Sequence, residues 1–245
     1  MKLLFGREII QASMPVDHLS GIRHLASPWN DPLFFENDVV SILTQELSTR
    51  NFSIRWHRWK AFKTTTLHLF SDRPVIVLQC ILTGQFSIRE SKQDEQIFYE
   101  SGYDLFYFPS GWSPINVEAG EYSILYIEPD PGFLKDINLI DHSVGELLNA
   151  LHQEYEQAAS LGQVPINFIA RNHLNELLND PLENSDSALI THLSVVGLLK
   201  EYLETWKREK TSMIRPNIPH LAKIIKIRDE ILHAPHIQKQ RLKII

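Results

Sequence analysis

His57 and His68 are the two histidines that a sheet could bring together. Each sits in a short segment rich in β-branched and aromatic residues, WHRW and TLHLF, and paired imidazoles on adjacent strands are half of a transition-metal site. The other half is not written in the chain. It holds no CxxC, HxH or HExxH and no acidic loop of the calcium type, so no residue is assigned to a metal. His233 and His236 are separated by Pro235, which breaks the helix that would align them. The single cysteine, Cys80, lies inside the apolar run PVIVLQCIL and reads as a buried, inert thiol rather than a nucleophile. Phosphate-cradling glycine loops and the GxSxG elbow are missing too. No catalytic residue and no cofactor is therefore expected, and the chain is read as one that is not an enzyme.

What remains is the chemistry of recognition. Aromatic residues gather in and just before the middle third, among them Trp29, Trp56, Trp59, Tyr107 and Trp112. An aromatic-lined cup with a few polar groups is what a small-molecule site needs. Strand alternation puts Trp56 and Arg58 on one face and His57 and Trp59 on the other, so only one pair can point inward. Arg58 inside would call for an anionic partner, such as a ligand carboxylate; outside it would be a solvated surface charge. Gln79 is the polar exception in an otherwise apolar strand and is expected to face the interior, its amide paired by the protein or by a ligand. Tyr107, at the end of a strand, and Trp112, in the following turn, are expected at a rim. The ligand-binding candidates are thus Trp56, Arg58, Gln79, Tyr107 and Trp112.

The elements that position these residues are mainly strands. Between residues 52 and 127, the segments FSIRWHRW, TTTLHLF, VIVLQCIL, QFSIRE, EQIFY, DLFYF and YSILYI are short and are separated by turn formers. About seven strands without an intervening helix imply an antiparallel sandwich or barrel. Residues 75–82 are apolar on both faces, the mark of a central strand covered on each side. Residues 103–129 read as two alternating strands around a proline-glycine turn, as in the closing hairpin of a small barrel.

Beyond Pro129 the period becomes helical, over residues 143–160, 166–179 and 187–209. In the last of these, Leu189, Leu193, Val196, Leu199 and Leu203 form an apolar stripe that serves the helix's own core, a second subunit, or each along part of its length. RPNIP, at residues 215–219, is a linker, and LAKIIKIRDEILHA after it is a basic amphipathic helix. The net charge of −6 is unevenly spread: residues 207–245 carry ten Lys/Arg against three acidic residues, while the rest of the chain sums to −13. An acidic body that repels polyanions is joined to a basic tail suited to them. The amino terminus, MKLLFGREIIQAS, fails as a signal peptide, and no apolar run reaches the roughly 20 residues of a membrane span, so a cytoplasmic location is expected.

Together the segment DLFYFPSGWSPINVEAGEYSILYIEP, the strands WHRW and VIVLQCILTGQF and the tail helix HLAKIIKIRDEILHA resemble the N-terminal region of AraC-type transcription regulators. The resemblance implies an α+β fold, an antiparallel cupin-like β-barrel or sandwich followed by an α-helical dimerisation region. It implies a cupin-like effector-binding domain over residues 1–128, a helical dimerisation region over 129–214, and a linker with the first helices of a truncated DNA-binding domain over 215–245. It further implies a small-molecule effector, a homodimer contacting through the stripe from Leu189 to Leu203, and DNA binding only through a complete helix-turn-helix domain, of which no recognition helix is present here. Metal cupins carry a histidine three positions after the glycine of Pro-x-Gly; after Pro109-Ser110-Gly111 that position is Pro114. The departure removes the case for a metal-dependent cupin isomerase or dioxygenase and fits a metal-free sensor; a stand-alone small-molecule-binding cupin stays open as an alternative.

Overall fold

All seven of the alternating segments become strands, and their pairing is nested. The computed structural model describes residues 2–4, 29, 32–88, 96–140, 142–179 and 185–212. Its strands are β1 (Lys2–Leu4), β2 (Leu33–Glu36), β3 (Val40–Ser48), β4 (Phe52–Ala61), β5 (Thr65–Ser71), β6 (Val75–Thr83), β7 (Phe86–Ile88), β8 (Gln96–Phe98), β9 (Gly102–Phe108), β10 (Gly111–Val117), β11 (Gly120–Pro129), β12 (Ala159–Ser160) and β13 (Val164–Pro165). β4 pairs with β11, β5 with β10, β6 with β9 and β7 with β8, all antiparallel. One long hairpin is thus rolled so that successive strands fall alternately into two sheets, the jelly-roll arrangement of cupin-like domains. The larger sheet runs β12-β9-β6-β11-β4-β3-β2, with β13 also on β9; the smaller runs β1-β5-β10-β7-β8.

This topology corrects the reading of residues 103–129 as a hairpin. Three strands lie there, not two, and β9 and β11 belong to one sheet while β10, between them, belongs to the other. Pro114 sits inside β10 opposite His68, a position that alternation alone does not reveal.

Two cores flank the large sheet. Between the sheets, Val77, Ile81, Phe106 and Ile124 of the large sheet meet Leu67, Leu69, Ile115 and Val117 of the small one. On the other face Ile76, Leu78, Leu105 and Leu125 pack under helices. β6 is buried at seven successive residues, Val75 to Ile81, because both of its faces are covered.

The helices are α1 (Pro131–Ile140), α2 (Gly145–His152), α3 (Phe168–Asn179) and α4 (Ser185–Ser212). Asp130 and Asn167 start α1 and α3 by accepting hydrogen bonds from Gly132 N at 2.8 Å and Ala170 N at 3.0 Å. The helix expected over residues 143–160 ends at His152, and its last two residues become β12 on the sheet edge. α3 and α4 approach closely at Gly197, where any Cβ would collide with the His173 ring.

The chain divides into two compact units, residues 1–206 and 207–245. Of the second, residues 207–212 are described and are helical; the linker at 215–219 and the basic amphipathic helix after it lie outside the described residues. Among the described residues no helix is long and apolar enough to cross a membrane.

Candidate ligand site inside the barrel

In β4 alternation resolves the choice between the two residue pairs. Trp59 and Ala61 belong to the core between the sheets, whereas Phe52 and Ile54 belong to the core under the helices. His57 shares the parity of Trp59, so His57 and Trp59 point into the barrel and Trp56 and Arg58 point away. The ring of His57 lies 5.6 Å from that of Tyr126, which is another member of the inner core. Gln79 lies between Val77 and Ile81 on the same inner face and is paired with Tyr126 of β11. Four side chains with polar atoms therefore converge on one interior wall.

None of the four is fully satisfied. His57 Nε2, Trp59 Nε1, both amide atoms of Gln79 and the Tyr126 hydroxyl are buried with no hydrogen-bond partner. Each such group costs about 1–3 kcal/mol when left unpaired in an interior. His57 is held from behind, Nδ1 lying 2.8 Å from Thr44 Oγ1, which leaves Nε2 turned to the interior. Burial, reinforced by the charge of Arg55, lowers the His57 pKa to about 3, so its imidazole is neutral at physiological pH. Burial likewise pushes the Tyr126 phenol well above its ordinary value. These four side chains are polar but carry no charge.

Charge borders these side chains at Arg55, in register with Tyr126, and at Asp104, in register with Gln79. Arg55 reaches Glu46 at 3.1 Å and Glu128 at 3.2 Å, and Arg73 reaches Glu128 at 2.6 Å. On the other side of the wall Trp59 stacks on Tyr122, with ring centroids 5.2 Å apart and planes at 8°.

The candidates from sequence scatter. Gln79 faces the interior as expected, with its amide unpaired rather than satisfied by the protein. Trp56 faces outward, its Nε1 donating to Ser123 Oγ at 2.9 Å, and the Arg58 guanidinium lies 4.0 Å over its ring while donating to Gln45 Oε1 at 3.4 Å. Burial lowers the Arg58 pKa to about 10. Tyr107 is not at a rim: it is wholly buried under the helices and donates its hydroxyl proton to the Tyr155 carbonyl at 2.7 Å. Trp112 stands on the outer face of the small sheet against Phe70 and His68, because Ser113, Ile115 and Val117 take the inner positions of β10. His68 consequently faces away from His57, and the two cannot share a metal. Among the described residues no group of three His, Cys, Asp or Glu side chains is placed to hold one.

His57, Trp59 and Tyr126 are missing from that set of candidates. The alternation of WHRW had narrowed the choice to two pairs, and the ladder from Trp59 to Tyr122 and from His57 to Ile124 decides it.

The apolar stripe of α4 divides in the same way. Leu199 and Leu203 are buried in the chain's own core, a correction to their expected place at a subunit contact, and Val196 is half-buried. Leu189 and Leu193 remain 60% and 57% exposed, with Ile190 beside them at 41%.

A second polar cluster ties the sheet to α4. Asp104 of β9 accepts from Ser160 Oγ at 2.5 Å and from Gly162 N at 3.2 Å, and the Tyr202 hydroxyl lies 3.2 Å from it. Burial raises the Asp104 pKa to about 6 against the opposing pull of these hydrogen bonds.

No protein family and no curated protein matches the sequence. Solved structures that match include the AraC-like transcriptional activator CuxR, 10% identical with a TM-score of 0.44 over 72% of this chain and 61% of that one. An RmlC-like cupin protein from Methanocaldococcus jannaschii matches at 14% identity and a TM-score of 0.29, over 43% of this chain and 97% of that one. Oxalate decarboxylase OxdC of Bacillus subtilis, as a deletion mutant, matches at 20% identity and a TM-score of 0.29, over 42% and 28%. These are likenesses of fold. The expectation of a chain that is not an enzyme is corrected by the last of them: a decarboxylase is among the matches, so the lack of catalytic motifs does not set this chain apart from enzymes. The nested strand pairing and the helices packed on one sheet make this an α+β protein with a cupin-like antiparallel barrel.

Proposed function

We propose that the chain is the effector-sensing and dimerising part of an AraC-type transcription regulator working in the cytoplasm. In this reading residues 1–128 take a small-molecule effector, residues 129–214 join two copies, and residues 215–245 belong to the DNA-binding part. One observation carries the sensing role: His57, Trp59, Gln79 and Tyr126 present unpaired, uncharged polar atoms on one interior wall. A fold retains such groups at a cost to stability, and a bound molecule that pairs them recovers it.

The second copy is supported by the exposed half of the α4 stripe at Leu189, Ile190 and Leu193. The signal would pass through α4, which meets the barrel at Asp104 through Tyr202. An effector can bias the attached domain only if it binds the two arrangements with different affinity.

Calorimetric titration of wild type and Gln79→Leu with hits from a thermal-shift screen tests the reading. A hit whose binding is lost in Gln79→Leu supports it; hits indifferent to Gln79, His57 and Tyr126 reject it.

A further inference from the structure

The character of the wall limits what can bind there. Trp59 Nε1 can only donate a hydrogen bond, the Gln79 amide can donate and accept, and the Tyr126 hydroxyl can do either. His57 Nε2 donates or accepts according to which ring nitrogen Thr44 leaves protonated. A guest that satisfies them all must itself both donate and accept at neighbouring positions.

Among the described residues, the charged groups that border this wall, Arg55 in register with Tyr126 and Asp104 in register with Gln79, are both already held by the protein. Arg55, the cation nearest along β4, is held by Glu46 and Glu128, and Glu128 is shared with Arg73. An ammonium or carboxylate brought beside Gln79 would lose its water and have to compete with these existing contacts for a counter-ion, an exchange that disfavours entry.

We propose that the interior takes an uncharged small molecule bearing adjacent hydroxyl or carboxamide groups, and rejects carboxylates, phosphates and amines of the same shape. This rests on the barrel interior being the effector site. The orphaned atoms are sealed from solvent, so the guest enters only when the barrel opens. The observed binding rate then levels off as ligand concentration rises, because opening precedes entry.

Matched pairs test the class directly: xylitol against xylonate, nicotinamide against nicotinate, and benzyl alcohol against benzoate and benzylamine. Each is screened by thermal shift and titrated by calorimetry on wild type, Gln79→Leu and Trp59→Phe. The expected result is that a neutral member binds, its charged counterparts bind at least tenfold more weakly, and Gln79→Leu weakens the neutral member by tenfold or more. A charged member that binds as well as its neutral counterpart, and is lost in Gln79→Leu, overturns the class while leaving the interior site in place. Binding that both variants leave intact, or no binding by any member, overturns the interior site together with the class.

Discussion

Gln79 and Asp104 face each other across the β6–β9 ladder, and one has no partner for its amide while the other is held by three. The pair joins the barrel's interior wall to the helical layer, since Asp104 reaches Tyr202 of α4. A change at Gln79 is one residue pair away from the helix that carries the exposed apolar stripe.

Replacing Gln79 by leucine has opposite effects on stability and on binding. The leucine fills about the same space without leaving an amide unpaired, so unfolding in urea should show a gain of about 1–3 kcal/mol. The same variant should lose the effector. A loss of stability would mean that the amide is already satisfied.

Asp104 makes stability fall as pH rises. Its pKa is raised to about 6 in the fold, above the ordinary carboxylate value of 3.8, so the folded state holds this proton where the unfolded chain has released it. The contribution is complete below pH 4 and is lost as the pH passes through 6; about two pH units correspond to roughly 3 kcal/mol. Asp104→Asn should flatten that part of the pH profile in chemical denaturation, and an unchanged slope would place the proton elsewhere.

On α4 the two ends of the stripe should respond differently. Leu193→Glu alters an exposed position and should weaken dimerisation in light scattering while leaving the melting temperature nearly unchanged. Leu199→Ala empties a buried position and should cost about 2–5 kcal/mol of stability. If Leu193→Glu leaves self-association untouched, the exposed stripe is not the subunit contact.

Gly84 is fixed by backbone geometry and by its neighbour. It turns the chain from β6 into β7 at φ +87°, and a Cβ there would strike the Tyr122 ring and the Glu121 carbonyl. Gly84→Ala should cost about 1–3 kcal/mol and disturb Tyr122, which supports Trp59 in the wall. Trp fluorescence of the folded variant would report that displacement.

Much of the fold was legible because period two survives wherever one face of a strand is wetter than the other. β5 was recognised that way, β6 by its unbroken apolar run, and β9 and β11, buried over most of their length, by their density of β-branched and aromatic residues. β10 escaped because Pro114 and a turn-like start disguise it; β12 escaped because two residues of a helical-looking segment complete a sheet edge through pairing distant in sequence. For the site, Gln79 stood out as a lone amide among apolar residues. His57 and Trp59 did not, since β4 is covered on both faces and its inward side is set by β11 and β3 rather than by its own pattern.

The rolled hairpin has a kinetic corollary. Phe52 is paired with Pro129, and these two ends of the first and last nested strands enclose the β5–β10, β6–β9 and β7–β8 pairings. The entropy of closing so large a loop is spent before the ladder that rewards it can form, which belongs to milliseconds or longer rather than to the microseconds of helical bundles. A ribosome making this protein must therefore deliver Pro129 before β4 gains a neighbour in β11, and until then the aromatic face of WHRW stands open to chaperones.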